Sequence, residues 1–210
     1  MAGFLVDGDH EAQATVLLAH GAGGPMDSPW MDAVAKALAA AGLRVIRFEF
    51  AYMAARRAGI RKPPPRADLL VPEYRDAVER LGAGVPLIIG GKSMGGRVAS
   101  MVADEMHGAG KAAGLLCLGY PFHPPGKPDK PRTGHLADLR TPTLICQGTR
   151  DPFGTREEVS SYELSDRIEI VWLEDGDHDL KPRKSVSGFT AADHLRTLAA
   201  EVRAWTDRIL

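Results

Sequence analysis

Cysteine is scarce in this chain, with two in 210 residues. Cys117 and Cys146 each fall inside an apolar run that reads as a strand, so the expectation is two buried thiols and no disulfide. No His/Cys spacing suggests a zinc site or any other metal. Charge of one sign is missing too. The 26 Lys and Arg against 27 Asp and Glu leave a net charge of −1, so no global field favours nucleic acid or an anionic membrane. Nowhere does the chain approach the roughly eighteen consecutive apolar residues of a membrane span. Its start, Met1 to His10, has neither a basic segment nor an apolar stretch of signal-peptide length, which makes the cytoplasm the expected compartment. What is present, 44% hydrophobic and 25% charged residues, suits an ordinary globular protein. One domain, 1–210, is expected, burying roughly 70% of its unfolded surface, since the length is short for two.

The most informative stretch is Pro86-Leu87-Ile88-Ile89-Gly90-Gly91-Lys92-Ser93-Met94-Gly95-Gly96-Arg97-Val98. Leu87 to Ile89 reads as a buried strand, and Gly91-Lys92-Ser93-Met94-Gly95 matches G-x-S-x-G. Val98, Met101, Val102 and Met106 then recur at helical spacing. Ser93 therefore falls on a tight strand-to-helix turn, where Gly91 and Gly95 carry no Cβ to obstruct the backbone. The motif alone is weak; its weight comes from the strand before it and the helix after it. A phosphate-binding loop is excluded, because Pro86 stands where G-x-x-x-x-G-K-[ST] needs its first glycine and Leu87-Ile88-Ile89 are strand formers.

Along the chain, Thr15 to Ala19 reads as a buried strand ending at His20-Gly21-Ala22-Gly23-Gly24. A helix follows from about Ser28, with Trp30, Val34 and Leu38 on one face and Gly42 as its stop. Leu43 to Phe50 alternates in part, as a strand nearer the sheet edge would. Residues 51–65, with Arg56, Arg57, Arg61, Lys62 and Pro63-Pro64-Pro65, read as an irregular basic connection. A helix is expected over Ala67 to Leu81 with Leu70, Tyr74, Val78 and Leu81 on one face. Further strands are expected at Ala113–Leu118, Thr141–Gly148 and Ile168–Leu173. Between them come a proline-rich loop at 121–140 and a helix near 155–163. A last helix, about 188–209, carries Leu195, Leu198, Val202, Trp205 and Ile209. Short apolar strands alternating with amphipathic helices predict an α/β fold, a mostly parallel sheet covered on both faces.

The carboxyl ends of parallel strands share one edge, where ligands bind. That edge receives the His20–Gly24 loop, the basic loop, Ser93, the proline-rich loop, Asp151 and His178. Ser93, Asp151 and His178 have the residue types and the order of an acyl-transfer triad. A serine hydroxyl needs a base, and among seven histidines only His178 directly follows a late strand. His10, His107, His135 and His194 are expected at the surface. His123 is a candidate to line the site but precedes the acid in the chain. Asp151 is expected to hold the imidazole, although Asp151-Pro152 also reads as a helix cap. Asp175 and Asp177 lie too near His178 to orient it from behind. Oxyanion donors are expected from the N–H groups of Met94 and Ala22, with Gly21 and Gly23 alongside and His20 structural. Arg56 and Arg57 read as either a solvated face or a site for a substrate carboxylate or phosphate. Lys92 reads in the same two ways, as a guide for an anionic substrate or, since the residue before an elbow serine points away from it, as a structural ion-pair partner.

Together these residues resemble the α/β-hydrolase superfamily over nearly the whole chain. More narrowly, Arg47-Phe48-Glu49-Phe50, Gly90 to Gly96, Gly119-Tyr120-Pro121-Phe122-His123-Pro124-Pro125-Gly126 and Asp177-His178-Asp179-Leu180-Lys181-Pro182 are similar to a small dienelactone-hydrolase-like group of hydrolases. That group includes the hydrolase-like domain of a eukaryotic chromatin-complex subunit. The resemblance implies the α/β-hydrolase fold and the roles of Ser93, Asp151 and His178. Dienelactone hydrolases proper use a cysteine nucleophile, so their substrate does not carry over to a chain with Ser93. Only residues 121–140 occupy the usual place of a cap, which implies an open cleft and no lid. Little beyond Phe4-Leu5-Val6 stands for the superfamily's first antiparallel strands. The expected activity is hydrolysis of a carboxylic ester or thioester of a small soluble substrate, without a cofactor. A non-catalytic interaction module and a peptidase are the alternatives.

Overall fold

The computed structural model describes residues 3–60, 62–82 and 84–210. Its strands are β1 (Leu5–Asp7), β2 (Thr15–Ala19), β3 (Arg44–Phe48), β4 (Leu87–Lys92), β5 (Gly114–Leu118), β6 (Thr143–Gly148) and β7 (Ile168–Leu173). They form one sheet in the order β1-β3-β2-β4-β5-β6-β7. β1 runs antiparallel to β3, and every other neighbouring pair is parallel. A parallel strand has both faces covered by helices, so its residues are apolar on successive positions rather than alternate ones. β2, β5 and β6 are buried from end to end.

Successive side chains of a strand go to opposite faces, and the core divides accordingly. Leu17, Ile89, Leu115, Cys117 and Ile145 face one layer with Tyr74, Val98 and Val102. That layer is covered by α3 (Val71–Leu81) and α4 (Met94–Gly108). Val16, Leu18, Ile88, Leu116, Leu144 and Cys146 face the other, with Val34, Leu38, Leu198, Val202 and Trp205. Those come from α1 (Pro29–Ala40) and α7 (Ala191–Ile209). The helices start where the sequence says they can. The Ser28 hydroxyl accepts from the Met31 N–H ahead of α1, and Thr190 with Asp193 makes a capping box ahead of α7.

Several expectations need correction. Residues 51–57 are helical, α2 (Ala51–Arg57). Ala51, Met53, Ala54, Ala55, Arg56 and Arg57 are all good helix formers, a preference outweighed in the reading by the prolines farther on. Residues 67–81 are two pieces, a 3₁₀ turn (Ala67–Leu70) running into α3. The helix near 155–163 is one turn, α5 (Arg156–Val159), behind a Thr155/Glu158 capping box. The last helix is preceded by a separate short turn, α6 (Lys184–Ser187). On α4 the buried row is Val98, Val102 and Met106, four residues apart; Met101 falls outside it at 36% exposure. The 121–140 segment has no helix or strand. It is nonetheless anchored, because Phe122, Leu136 and Leu139 enter the core.

Direction of travel along the sheet reverses at β2, which has β3 on one side and β4 on the other. The loops after β2 and β4 therefore leave the sheet side by side, and the crevice at such a switch point is where ligands bind in open α/β sheets. No helix among the described residues is long and apolar enough to cross a membrane.

Candidate active site

β4 passes into α4 through Ser93 alone, which takes φ 50° and ψ −114°. A non-glycine residue in that region costs of order 1–3 kcal/mol and persists only where its surroundings hold it. Here the Ser93 N–H donates to the Leu118 carbonyl at 2.9 Å, and the Ser93 carbonyl accepts from the Arg97 N–H at 3.0 Å. The flanking glycines are dictated by backbone contact. A Cβ on Gly91 would stand 2.6 Å from the Ala19 oxygen, and one on Gly95 would stand 2.5 Å and 2.6 Å from the Ala19 and His20 oxygens. The elbow is thus pressed against the end of β2, and this brings the His20–Gly24 loop beside Ser93.

From the far side of the sheet come the other two groups. Asp151 follows β6, is wholly buried, and accepts at Oδ2 from His178 Nδ1 at 2.8 Å. His178 Nε2 lies 2.8 Å from Ser93 Oγ. A carboxylate only accepts, so Nδ1 carries the ring proton and Nε2 is free to accept from the serine hydroxyl. Two more donors converge on Asp151: the Phe153 N–H on Oδ1 at 2.9 Å and the Gln147 amide on Oδ2 at 3.0 Å. The Phe153 ring stacks on the imidazole, with centroids 4.1 Å apart. Gln147 and Phe153 were missed in the sequence. Gln147 left a signal, as the one amide side chain in an otherwise apolar strand four residues before Asp151.

His178 hangs on the loop after β7, which is held by its own polar residues. Asp175 is bound by Arg183, which holds its carboxyl down to about 2, and lies 3.3 Å from Arg150 Nε. Asp177 accepts from the N–H groups of Asp179 and Lys181, each at 2.9 Å. Both carboxylates build the loop and neither supports the ring.

The His20–Gly24 loop is oriented by its carbonyls. His20 is buried, and burial pushes its pKa down, so the ring is neutral. It accepts the Phe50 N–H at Nε2 (3.1 Å) and donates from Nδ1 to the Gly21 carbonyl (2.7 Å). Tyr52, its phenol pushed up to about 12 by burial, donates to the Ala22 carbonyl at 3.0 Å. In a trans peptide the N–H lies opposite the preceding C=O. The Ala22 N–H is therefore turned away from His20. Gly21, Ala22 and Gly23 line a cleft of about 420 Å³ together with Trp30, Lys92, Ser93, Phe153 and His178. Met94 opens α4, where the first N–H groups have no partner within the helix.

Other candidates lie elsewhere. Arg57 is gripped by Glu49 (Nε to Oε2, 2.7 Å) and Asp27 (Nη2 to Oδ1, 2.6 Å), which raise its pKa and satisfy its charge. Arg56 donates to the Lys62 carbonyl at 3.0 Å and lies over the Tyr52 ring. Both border a separate depression beyond Gly23 and are not in the Ser93 cleft. Arg61 lies outside the described residues. His123 is 1% exposed, faces the Pro124 carbonyl and Glu158, and does not line the cleft. His194 is not a surface group either; it is buried and its Nδ1 donates to the Leu180 carbonyl at 2.8 Å.

A serine-bearing elbow at the switch point of a mostly parallel sheet, with no inserted cap, defines the lidless class of α/β hydrolases. The family model described as an α/β-hydrolase domain matches residues 12–207, and the chain belongs to that family. It is similar in structure to a dienelactone hydrolase from Anabaena variabilis, at 21% identity and TM-score 0.74 over 99% of this chain and 91% of that one. A Xanthomonas campestris α/β serine hydrolase without a lid matches at 19% and 0.67 over 99% and 88%. The esterase domain of a Rhodothermus marinus protein matches at 17% and 0.66 over 98% and 91%.

Proposed function

We propose that the protein is a serine hydrolase of carboxylic esters or thioesters of small soluble substrates. Ser93 Oγ attacks the acyl carbon while its proton passes to His178 Nε2, and Asp151 steadies the imidazolium through Nδ1. The N–H groups of Met94 and Ala22 receive the negative charge of the tetrahedral intermediate. Collapse expels the alcohol or thiol, which takes the proton from His178. Water then gives a proton to His178 and attacks the acyl-enzyme; the acid leaves and the proton returns to Ser93. This sequence needs no cofactor.

The observation that carries the reading is the unbroken hydrogen-bonded line from Ser93 through His178 to Asp151, 2.8 Å at each step, opening on a cleft at the hydroxyl end. A fluorophosphonate probe is expected to label the protein, and Ser93→Ala to abolish both labelling and hydrolysis of short-chain nitrophenyl esters. Equal labelling of the variant sinks the assignment.

A further inference from the structure

Lys92 ends β4 and immediately precedes Ser93. It is 7% exposed, and burial pushes its pKa down. Its ammonium donates to the main-chain carbonyl of His178, lies 3.4 Å from Asp179 Oδ1 and stands 5.0 Å from the centre of the Trp30 ring. Trp30 closes the arrangement by donating its indole N–H to the Asp179 carbonyl at 2.7 Å. Asp179 is half exposed and an incomplete counter-ion. An apolar side chain of similar length would avoid burying this charge, so the fold itself does not call for a lysine.

What the lysine does is visible in the loop it touches. Asp175 (φ 55°) and Leu180 (φ 60°) are non-glycine residues in the left-handed region, and each is tethered. Arg183 and Arg150 hold Asp175, and His194 holds the Leu180 carbonyl. Between them His178 is held at its own carbonyl by a side chain from the strand that leads into Ser93.

We infer that Lys92 is a positioning residue, locking the loop that bears His178 to the strand that leads into Ser93 and so setting the gap across which the proton passes. This rests on the reading of Ser93 and His178 as nucleophile and base.

The test is the second-order rate of fluorophosphonate labelling in wild type, Lys92→Met and Lys92→Arg, with thermal melts of each. Lys92→Met is expected to slow labelling by about 10–100-fold, the scale of a misplacement near 1 Å. Its melting point should hold or rise. Lys92→Arg keeps charge and donors and should label faster than Lys92→Met. Wild-type labelling by Lys92→Met, a Lys92→Met protein that does not fold, or Lys92→Arg no faster than Lys92→Met each overturns the inference. A wild-type protein that does not label, or a Ser93→Ala that does, removes the underlying reading instead.

Discussion

Two clusters of charged and polar groups sit near the same edge of the sheet, and they are built on opposite plans. In one, Gln147 and the Phe153 N–H hold Asp151, Asp151 holds His178, and His178 ends on the Ser93 hydroxyl at a cleft. In the other, Arg57 spends its donors on Glu49 and Asp27, and Glu49 also accepts from the Met26 N–H at 3.3 Å. The first chain of bonds stops at a hydroxyl that opens on a cleft; the second closes on itself. Residue types do not distinguish a poised group from a satisfied one. Connectivity does, because a donor already engaged by two carboxylates, one of them buried, has nothing left for a ligand.

The sharpest way to break this comparison is Asp151→Asn. The proposed role predicts a fall in kcat of about 10⁴ on a short-chain nitrophenyl ester, as the amide donates to the ring and stabilises the wrong tautomer. Activity within tenfold of wild type would dissolve the distinction. The second cluster should respond in stability and not in rate. Arg57→Met leaves Glu49 buried with only a backbone donor, which is expected to cost about 1–3 kcal/mol by denaturant unfolding. Hydrolysis of neutral and anionic esters should change by less than about threefold, and a selective loss on the anionic ester would restore Arg57 as a substrate contact. The smallest effect is expected from His20. Burial lowers its pKa in the folded state, so below the unfolded value of about 6.5 the unfolded chain takes up a proton that the native ring refuses. The stability this contributes is complete above pH 6.5 and declines as pH falls toward the folded value. Melting points between pH 7.5 and 5.5 should show the decline, and His20→Gln should flatten it.

Much of the scaffold was legible because parallel strands and their covering helices write strong local patterns. The strand at Leu87 and the glycines around Ser93 reflect contacts a Cβ cannot survive, and such positions admit few residues. Asp151 posed two readings, support for the imidazole and a helix cap; the next helix starts at Arg156 behind Thr155, so Asp151 caps no helix. Its Oδ1 makes the local turn with the Phe153 N–H while its Oδ2 faces His178. The unread parts depend on distant partners. Trp30 meets Asp179 across 149 residues of chain. Arg57 is neutralised by Asp27, thirty residues earlier. His194 is buried because the loop after β7 folds back onto α7. Only packing decides these, and no local periodicity announces them.

The two thiols offer a built-in gauge of integrity. Cys117 lies in the layer under α4 and Cys146 in the layer under α7, on adjacent strands but on opposite faces of the sheet. Burial raises the pKa of both, that of Cys146 to about 12. A disulfide-exchange dye should therefore find neither in the intact protein, and colour developing over time would report the opening of one layer or the other, resolved by which cysteine carries the adduct.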